Sequence, residues 1–241
     1  ITNIINVIYI TFIIFVILLL IIGTYFMLAL NMLRIRSKKV EVIASEVDSI
    51  MREHMKYESI EAIPNDEIEM LKRKVSTRNG LQAFFVCYKE YVDENGYIDK
   101  AKDYAARVLD YKVLLNNRIV RDKYRKSYIL YLLGEFRINT KDVEDFAIES
   151  LDNSSIYVRN NALRVVRNSG NVPLLIRAIE NIENLDHYFN NRVLVDLVDT
   201  FIGDKELLDE ALLDNIDRFS VGFRKIAIEH FTNTLNDKDN T

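Results

Sequence analysis

The sequence predicts an all-α protein in which a single transmembrane helix is followed by an α-solenoid of stacked helical hairpins. Three observations favour this fold class. Residues 1–33 contain no Asp, Glu, Lys or Arg, four cations follow within six residues, and from about residue 120 a helical pattern repeats every 31 to 34 residues. The predicted regions are a transmembrane helix (1–33), a juxtamembrane helix (34–63), a helical cap or degenerate repeats (64–116) and the repeats (117–241).

The first segment is long enough to cross a bilayer. Residues 4–33 are mostly Ile, Leu, Phe, Val and Met, and about 20 apolar residues cross roughly 30 Å of hydrocarbon. A secretory signal peptide would need a cationic start, a shorter apolar core and a small-residue cleavage site. A buried core helix would be unusually long. A membrane anchor is therefore the best interpretation of the three.

The cations beside this segment predict its orientation. Lys and Arg next to a spanning helix tend to stay in the cytoplasm. No cation precedes the helix in the sequence, and four follow it: Arg34, Arg36, Lys38 and Lys39. We therefore expect a single-pass protein of the cell membrane, with its N-terminus outside and residues 34–241 in the cytoplasm. The membrane surface alone explains this basic cluster.

Composition narrows the function of the remaining chain. The net charge of −4 lies entirely outside the uncharged segment, and a mildly acidic balance argues against nucleic acid as a partner. The single cysteine, Cys87, cannot form an internal disulfide, which fits a reducing cytosol. Because Cys87 lies in the apolar run 84–88, core packing explains it better than nucleophilic chemistry.

The residue patterns of common catalytic and metal sites are missing from the sequence. His54, His187 and His230 are far apart and lack a Cys or carboxylate at metal-ligand spacing, so we expect ordinary surface or rim residues. The turn at residues 93–96 lacks the first and last ligands of a calcium loop, and its glycine is interpreted as a helix cap. No phosphate loop or nucleophile motif is present. We expect no cofactor, no metal, no small-molecule substrate and no enzymatic activity.

A second apolar stripe follows the membrane segment. Val40, Ile43, Val47 and Ile50 recur at the spacing of one helix face. This stripe can lie against the chain's own soluble domain, or it can form a short coiled coil between two copies. A convincing coiled coil needs three or four heptads, so we favour the first interpretation.

A basic cluster opens the repeat region. It can contact anionic lipid headgroups, a phosphate or an acidic partner. Because Asp122 lies among the cations, a solvated helix face is the simpler interpretation. The cluster comprises Arg118, Arg121, Lys123, Arg125 and Lys126, beside Tyr124 and Tyr128.

The C-terminal half of the chain repeats itself. A period in the thirties made of paired amphipathic helices is typical of an α-solenoid, in which each pair buries its apolar face against the next. An ordinary helical bundle with coincidental spacing is the alternative. The aligned dipeptides are Tyr124-Arg125, Val158-Arg159, Phe189-Asn190 and Phe223-Arg224, and the shorter helices between them are 141–151, 172–182 and 206–213.

Two Asp–Arg pairs recur at the junctions between repeats. Asp152 lies seven residues before Arg159, and Asp217 lies seven residues before Arg224. An Asp in such a turn can accept hydrogen bonds from backbone amides at the helix start and from the Arg side chain. We therefore expect both pairs to connect neighbouring repeats.

The motif around the first of these pairs resembles a known repeat. Residues 151–163 combine an acidic turn, Val-Arg and a small residue on the packed face. This resembles HEAT repeats, including the HEAT-like type named after phycobilisome lyases, over roughly residues 117–241. The third repeat departs from the motif at Asn190 and Glu183, and the first at Arg118. The layout looks similar to bacterial accessory proteins associated with membrane glycosyltransferases that make exopolysaccharide.

These observations predict a scaffold or adaptor, a membrane-tethered solenoid that holds another protein at the cytoplasmic face. Solenoids present extended binding surfaces, and tethering raises the effective concentration of the partners. The second helix of each pair supplies the candidate binding residues, whose acidic balance predicts a basic partner surface. The candidates are Asp142, Asp145, Glu149, Arg177, Glu180, Asp209 and Glu210.

Two other functions remain open. A signalling or regulatory protein would transmit from the membrane through the helix after residue 40. A HEAT-fold enzyme is the other alternative, since the resemblance extends to DNA glycosylases and bilin lyases. A glycosylase would need a basic, Trp-bearing cleft, whereas this chain is net acidic and has no Trp.

Overall fold

The protein is built from α-helices. The computed structural model describes residues 2–96, 98–116, 122–185 and 189–239, without the side chains of 2–9, 113, 116 and 235–239. All regular secondary structure in these residues is helical, which confirms the all-α prediction. The helices are α1 (Thr2–His54), α2 (Asn65–Val75), α3 (Arg78–Asn95), α4 (Asp99–Val108), α5 (Tyr111–Asn116), α6 (Lys123–Glu135), α7 (Lys141–Leu151), α8 (Ile156–Ser169), α9 (Val172–Glu183), α10 (Asn191–Asp199), α11 (Lys205–Asn215) and α12 (Val221–Asp239).

The chain divides into two compact units. The first unit is Ile1–Tyr97 and contains α1 to α3, and the second is Ile98–Thr241 and contains α4 to α12. The region predicted as a cap or degenerate repeats, residues 64–116, is therefore shared between the two units.

The first half of α1 differs from the second half in what surrounds it. From Ile10 to Leu33 its large apolar side chains are exposed. Among the described residues, α1 is the one helix that is long and apolar enough to span a membrane, judged by length and composition. Exposed apolar surface on this scale is unfavourable in water and favourable in hydrocarbon.

The second half of α1 packs against α3. Val40, Val47 and Met51 are buried there, and Ile43 and Ile50 are half-buried. The apolar stripe after the membrane segment therefore lies against the chain's own helices, as the favoured interpretation predicts. A coiled coil between two copies would need the same residues and cannot form while they are buried.

α1 ends earlier than predicted. The helix stops at His54, and residues 55–63 form turns, so the helix expected through residue 63 is nine residues shorter. Pro64 lies immediately before α2, whose first residue is Asn65.

Polar contacts connect the second half of α1 to α2 and α3. Lys74 Nζ lies 2.6 Å from Glu46 Oε2, and Arg52 Nη1 lies 2.8 Å from Glu94 Oε2. The hydrogen bond to Glu94, and then the one to Asp48, raises the pKa of the Arg52 guanidinium. The same hydrogen bond lowers the pKa of Glu94. The Lys74–Glu46 pair thus connects α1 to α2, and the Arg52–Glu94 pair connects α1 to α3.

The prediction that His54 is a surface or rim residue is wrong. It is only 2% exposed, and its Nε2 lies 3.0 Å from Glu67 Oε2 at the start of α2. The last turn of α1 thus contacts the first turn of α2. The spacing of the histidines in the sequence does not reveal this tertiary contact.

The helices of the second unit pack in two rows. α6, α8, α10 and α12 pack successively against one another, and so do α7, α9 and α11. We call these row A and row B. α8 also packs against α7 and α9, which joins the rows. From α6 onward, consecutive helices alternate between row A and row B.

Hydrogen bonds at the repeat spacing connect α6 to α8. Asn161 Nδ2 donates to the Ser127 carbonyl at 3.1 Å, and the two residues are 34 apart in the chain. Asn168 Nδ2 donates to the Gly134 carbonyl at 3.0 Å, again across 34 residues. The interval that recurs in the sequence is thus also the interval between bonded residues of these two helices.

Two glycines meet at the ends of successive row A helices. Gly170 ends α8 with a φ of +68°, a backbone conformation that residues with a Cβ rarely adopt. Its carbonyl oxygen would lie 2.7 Å from a Cβ added at Gly203. The same Cβ would contact the buried ring of Phe201. Neither neighbour is the end of a flexible side chain, so position 203 has no room for a methyl group.

We therefore expect Gly203→Ala to lower the free energy of unfolding by about 1–3 kcal/mol through overpacking. Urea unfolding of the full chain in detergent, followed by far-UV circular dichroism, measures this. The matched control is Gly222→Ala in the first turn of α12, where the nearest atom is Ser220 Oγ at 3.7 Å. There alanine favours the helix by up to about 1 kcal/mol. Equal effects of the two substitutions would contradict the close approach at Gly203.

Candidate functional site

Charge is divided unequally between the two rows. The helices of row B contain ten Asp and Glu against three Lys and Arg. The helices of row A contain ten Lys and Arg against six Asp and Glu. All seven residues predicted to bind a partner lie on row B. The row is therefore the candidate site, and its charge is negative.

Two of these seven residues pair with each other. Arg177 Nη1 on α9 lies 2.7 Å from Asp145 Oδ1 on α7. Both side chains are more than a third exposed, so solvent screening leaves the pair worth at most about 1 kcal/mol. The pair links α7 to α9, and it withdraws Asp145 from the charge available to a partner.

Asp209 also has a partner within the chain. His230 on α12 is 5% exposed, with Nδ1 2.7 Å from Asp199 Oδ1 and Nε2 3.1 Å from Asp209 Oδ1. Both ring nitrogens therefore face a carboxylate oxygen. His230 thus connects α12 to α10 and α11, and the expectation of a surface residue is wrong. His187 lies outside the described residues.

Four of the predicted carboxylates are exposed on row B. Asp142 and Glu149 lie on α7, Glu180 on α9 and Glu210 on α11. None of the four takes part in the ion pairs found among the described residues. These four carboxylates are available to an outside cation.

The arginines of both predicted Asp–Arg pairs bond to backbone carbonyls in the structure. Arg159 Nη1 donates to the Asn153 carbonyl at 2.8 Å. Arg224 Nε donates to the Phe219 carbonyl at 2.8 Å, and its Nη2 to the Asp217 carbonyl at 3.3 Å. Both arginines thus bond to backbone carbonyls of the turn before their own helix.

Other side chains of these two turns accept hydrogen bonds from backbone amides near the helix starts. Asn153 Oδ1 accepts from the Ser155 amide at 3.0 Å, and Ser220 Oγ accepts from the Phe223 amide at 3.3 Å. A short polar side chain close to the helix start reaches these amides. The Asp217 side chain is exposed.

The third repeat, which departs from the motif, uses its unusual residues as caps. Asn190 Oδ1 accepts from the Arg192 amide at 2.9 Å and begins α10. Glu183 Oε1 accepts from the Ser220 amide at 2.8 Å, across 37 residues. Glu183 therefore connects the end of α9 to the start of α12, a contact between repeats that the Asp–Arg pattern does not predict.

One of the membrane-flanking cations, Arg36, lines a cleft in the first unit. Arg36 Nη2 donates to Gln82 Oε1 on α3 at 3.2 Å, whereas Arg34, Lys38 and Lys39 are exposed. The open cleft between α1 and α3 has a volume of about 830 Å³. Its lining includes Arg36, Val40, Asp48, Gln82, Cys87 and Glu90.

Cys87 at this cleft is a packed residue. It is buried, and its thiol donates to the Ala44 carbonyl at 3.2 Å. Burial, followed by the negative charges of Asp48 and Glu90, raises the pKa of the thiol to about 11. The thiolate is the nucleophilic form of cysteine, so this environment suppresses reactivity.

We expect Cys87 in the folded chain to resist iodoacetamide at pH 8, because a thiol with a pKa near 11 is about 0.1% ionised there. The alkylation rate should rise with pH up to the pKa, and unfolding in urea should restore ordinary reactivity. Mass spectrometry follows the adduct. An Asn160→Cys variant, exposed on α8, provides the fast-reacting control. Alkylation of Cys87 as fast as the control at pH 8 would contradict the suppression of its reactivity by burial.

The described part of the chain offers no metal cluster, and the comparisons offer no relative, from which a function could be inferred. Among the described residues, no group of three or more His, Cys, Asp and Glu side chains is arranged to hold a metal ion. Comparison with protein-family models, with curated proteins and with solved structures finds no match to the chain.

Proposed function

We propose that the protein is a membrane-tethered scaffold, a binding module rather than an enzyme, which holds a basic protein partner at the cytoplasmic face of the membrane. The observation that carries this proposal is the separation of charge between the two rows, with exposed carboxylates on all three helices of row B. A surface of one sign selects partners of the opposite sign and speeds their encounter.

The architecture we propose for the second unit is a short α-solenoid of HEAT-like hairpins. Alternation of consecutive helices between rows A and B supports it. So do the hydrogen bonds across 34 residues between α6 and α8. In such a stack the second helices of successive hairpins lie side by side and line one extended surface, so the carboxylates of α7, α9 and α11 would belong to a single surface.

The anchor we propose is the first half of α1. Its exposed apolar side chains from Ile10 to Leu33 support a position in hydrocarbon. The exposed cations Arg34, Lys38 and Lys39 support a cytoplasmic position for residues 34–241. Tethering confines scaffold and partner to one surface and raises their effective concentration.

The partner we propose presents Lys and Arg to row B and is itself associated with the membrane. Asp142, Glu149, Glu180 and Glu210 are the residues placed to contact it. The resemblance of the layout to accessory proteins of exopolysaccharide glycosyltransferases points to a membrane enzyme as the class of partner, by analogy of fold alone.

Charge reversal on row B tests the proposed binding. We expect Glu149→Lys with Glu180→Lys to reduce recovery of the partner at least tenfold, because two attractive contacts become repulsive. Partners are crosslinked in native membranes, captured on the full-length chain and quantified by mass spectrometry. The matched control is Asp217→Lys with Glu229→Lys, which changes the net charge equally at exposed positions outside row B. Partner recovery insensitive to the row B variant but present in the wild type would refute the assignment.

The proposed orientation has a separate test. In a Cys87→Ser background, a cysteine replacing the exposed Asn160 should react with a membrane-impermeant maleimide only after the cells are opened. The reason is that the second unit lies in the cytoplasm in our proposal. Labelling is measured by gel shift, and opened cells give the full signal. Rapid labelling in intact cells would place residues 34–241 outside and overturn the orientation.

A further inference from the structure

Row A exposes large side chains at one end of α6 and α8. Tyr124 is 68% exposed, Tyr157 67% and Ile156 56%. Ser127 Oγ donates to the Tyr157 carbonyl at 3.2 Å, which places the first turn of α8 beside α6. These residues form an aromatic–basic patch, which consists of Tyr124, Tyr128, Ile156 and Tyr157 with Lys123, Arg125 and Lys126.

Two cations of this patch lie over aromatic rings. Lys123 Nζ is 5.7 Å from the centroid of the Tyr124 ring, which belongs to the patch, and Lys126 Nζ is 5.2 Å from that of Phe146, a buried ring of α7. Long cationic side chains pack their stems on apolar surface and keep the charge at the polar edge. Asp122, the carboxylate at this end of α6, caps the helix by accepting from the Tyr124 amide at 2.9 Å. Arg118 and Arg121 of the predicted basic cluster lie outside the described residues.

Elsewhere on row A the positive charge is partly neutralised. Arg164 Nη1 lies 2.7 Å from Glu135 Oε1, and Arg167 Nη1 lies 3.6 Å from Asp196 Oδ2. These arginines line a groove of about 360 Å³ between α8 and α10. The aromatic–basic patch differs because exposed cations and exposed apolar side chains occur together there.

That combination fits the interface between a bilayer and water. Tyr is enriched at headgroup level, where its ring is apolar and its hydroxyl is wet. Lys and Arg are attracted to anionic lipids. A protein already held by a spanning helix needs only weak additional contacts to stay docked.

We propose that the aromatic–basic patch docks on the anionic lipid surface of the bilayer in which α1 is anchored. This inference rests on the proposed membrane anchor. Row A then binds lipid at this end, while row B, of opposite charge, remains free for the protein partner.

The chain contains no Trp, so a single introduced Trp reports its own environment. The full chain carrying Tyr157→Trp is reconstituted into vesicles of phosphatidylcholine with phosphatidylglycerol, both brominated on the acyl chains. Bromine quenches only a nearby indole. We expect at least twofold more quenching than for Leu213→Trp, a control at an exposed apolar position of α11 on row B. Changing Lys123 and Arg125 to Glu should bring the quenching at position 157 down to the control value.

Other results overturn the inference. Equal quenching at positions 157 and 213 would mean that tethering alone brings both near lipid. No quenching at position 157, in vesicles from which carbonate fails to extract the chain, would refute docking and leave the anchor intact. A blue shift at position 157 on adding polyglutamate, without quenching by lipid, would assign the patch to an acidic protein. Extraction of the chain by carbonate would refute the anchor itself.

Discussion

The packing of α8 against four other helices is the contact on which the second unit depends. α6, α7, α9 and α10 all pack against it. Val158, Ala162, Val165 and Val166 on this helix are buried. Asn168 bonds to α6 from within the same interface. Helices of both charged rows therefore pack against this one helix.

The course of the helices is predictable because their apolar residues follow a helical period. α7 has the predicted bounds of residues 141–151, while α9 extends one residue beyond its prediction and α11 one residue earlier and two later. Helical periodicity says less about the contacts between helices. Asn161 and Asn168 look like ordinary solvated residues in the sequence, and only the packed helices bring them to carbonyls 34 residues away.

The sequence predicts the sign of the charge on the candidate site. It does not predict as well which residues are available to bind a partner. The acidic balance of α7, α9 and α11 follows from counting charges. Which carboxylates are free does not, because Asp145 and Asp209 find partners on other helices. The burial of His230 is hidden for the same reason, since its two carboxylate neighbours lie 31 and 21 residues away in the chain. Pairing between residues that are far apart in the chain therefore decides which carboxylates are available to a partner and which connect helices.

The continuity of α1 has a mechanical consequence. About 21 residues of the helix extend beyond Leu33 to His54, or roughly 30 Å at 1.5 Å per residue. No glycine or proline interrupts them, and α3 braces them from the side. A continuous helix of this kind has no glycine or proline at which it bends easily. In the membrane position that we propose, a tilt of the first half of α1 to match a thinner or thicker bilayer would also tilt the second half and move α3, which packs against it.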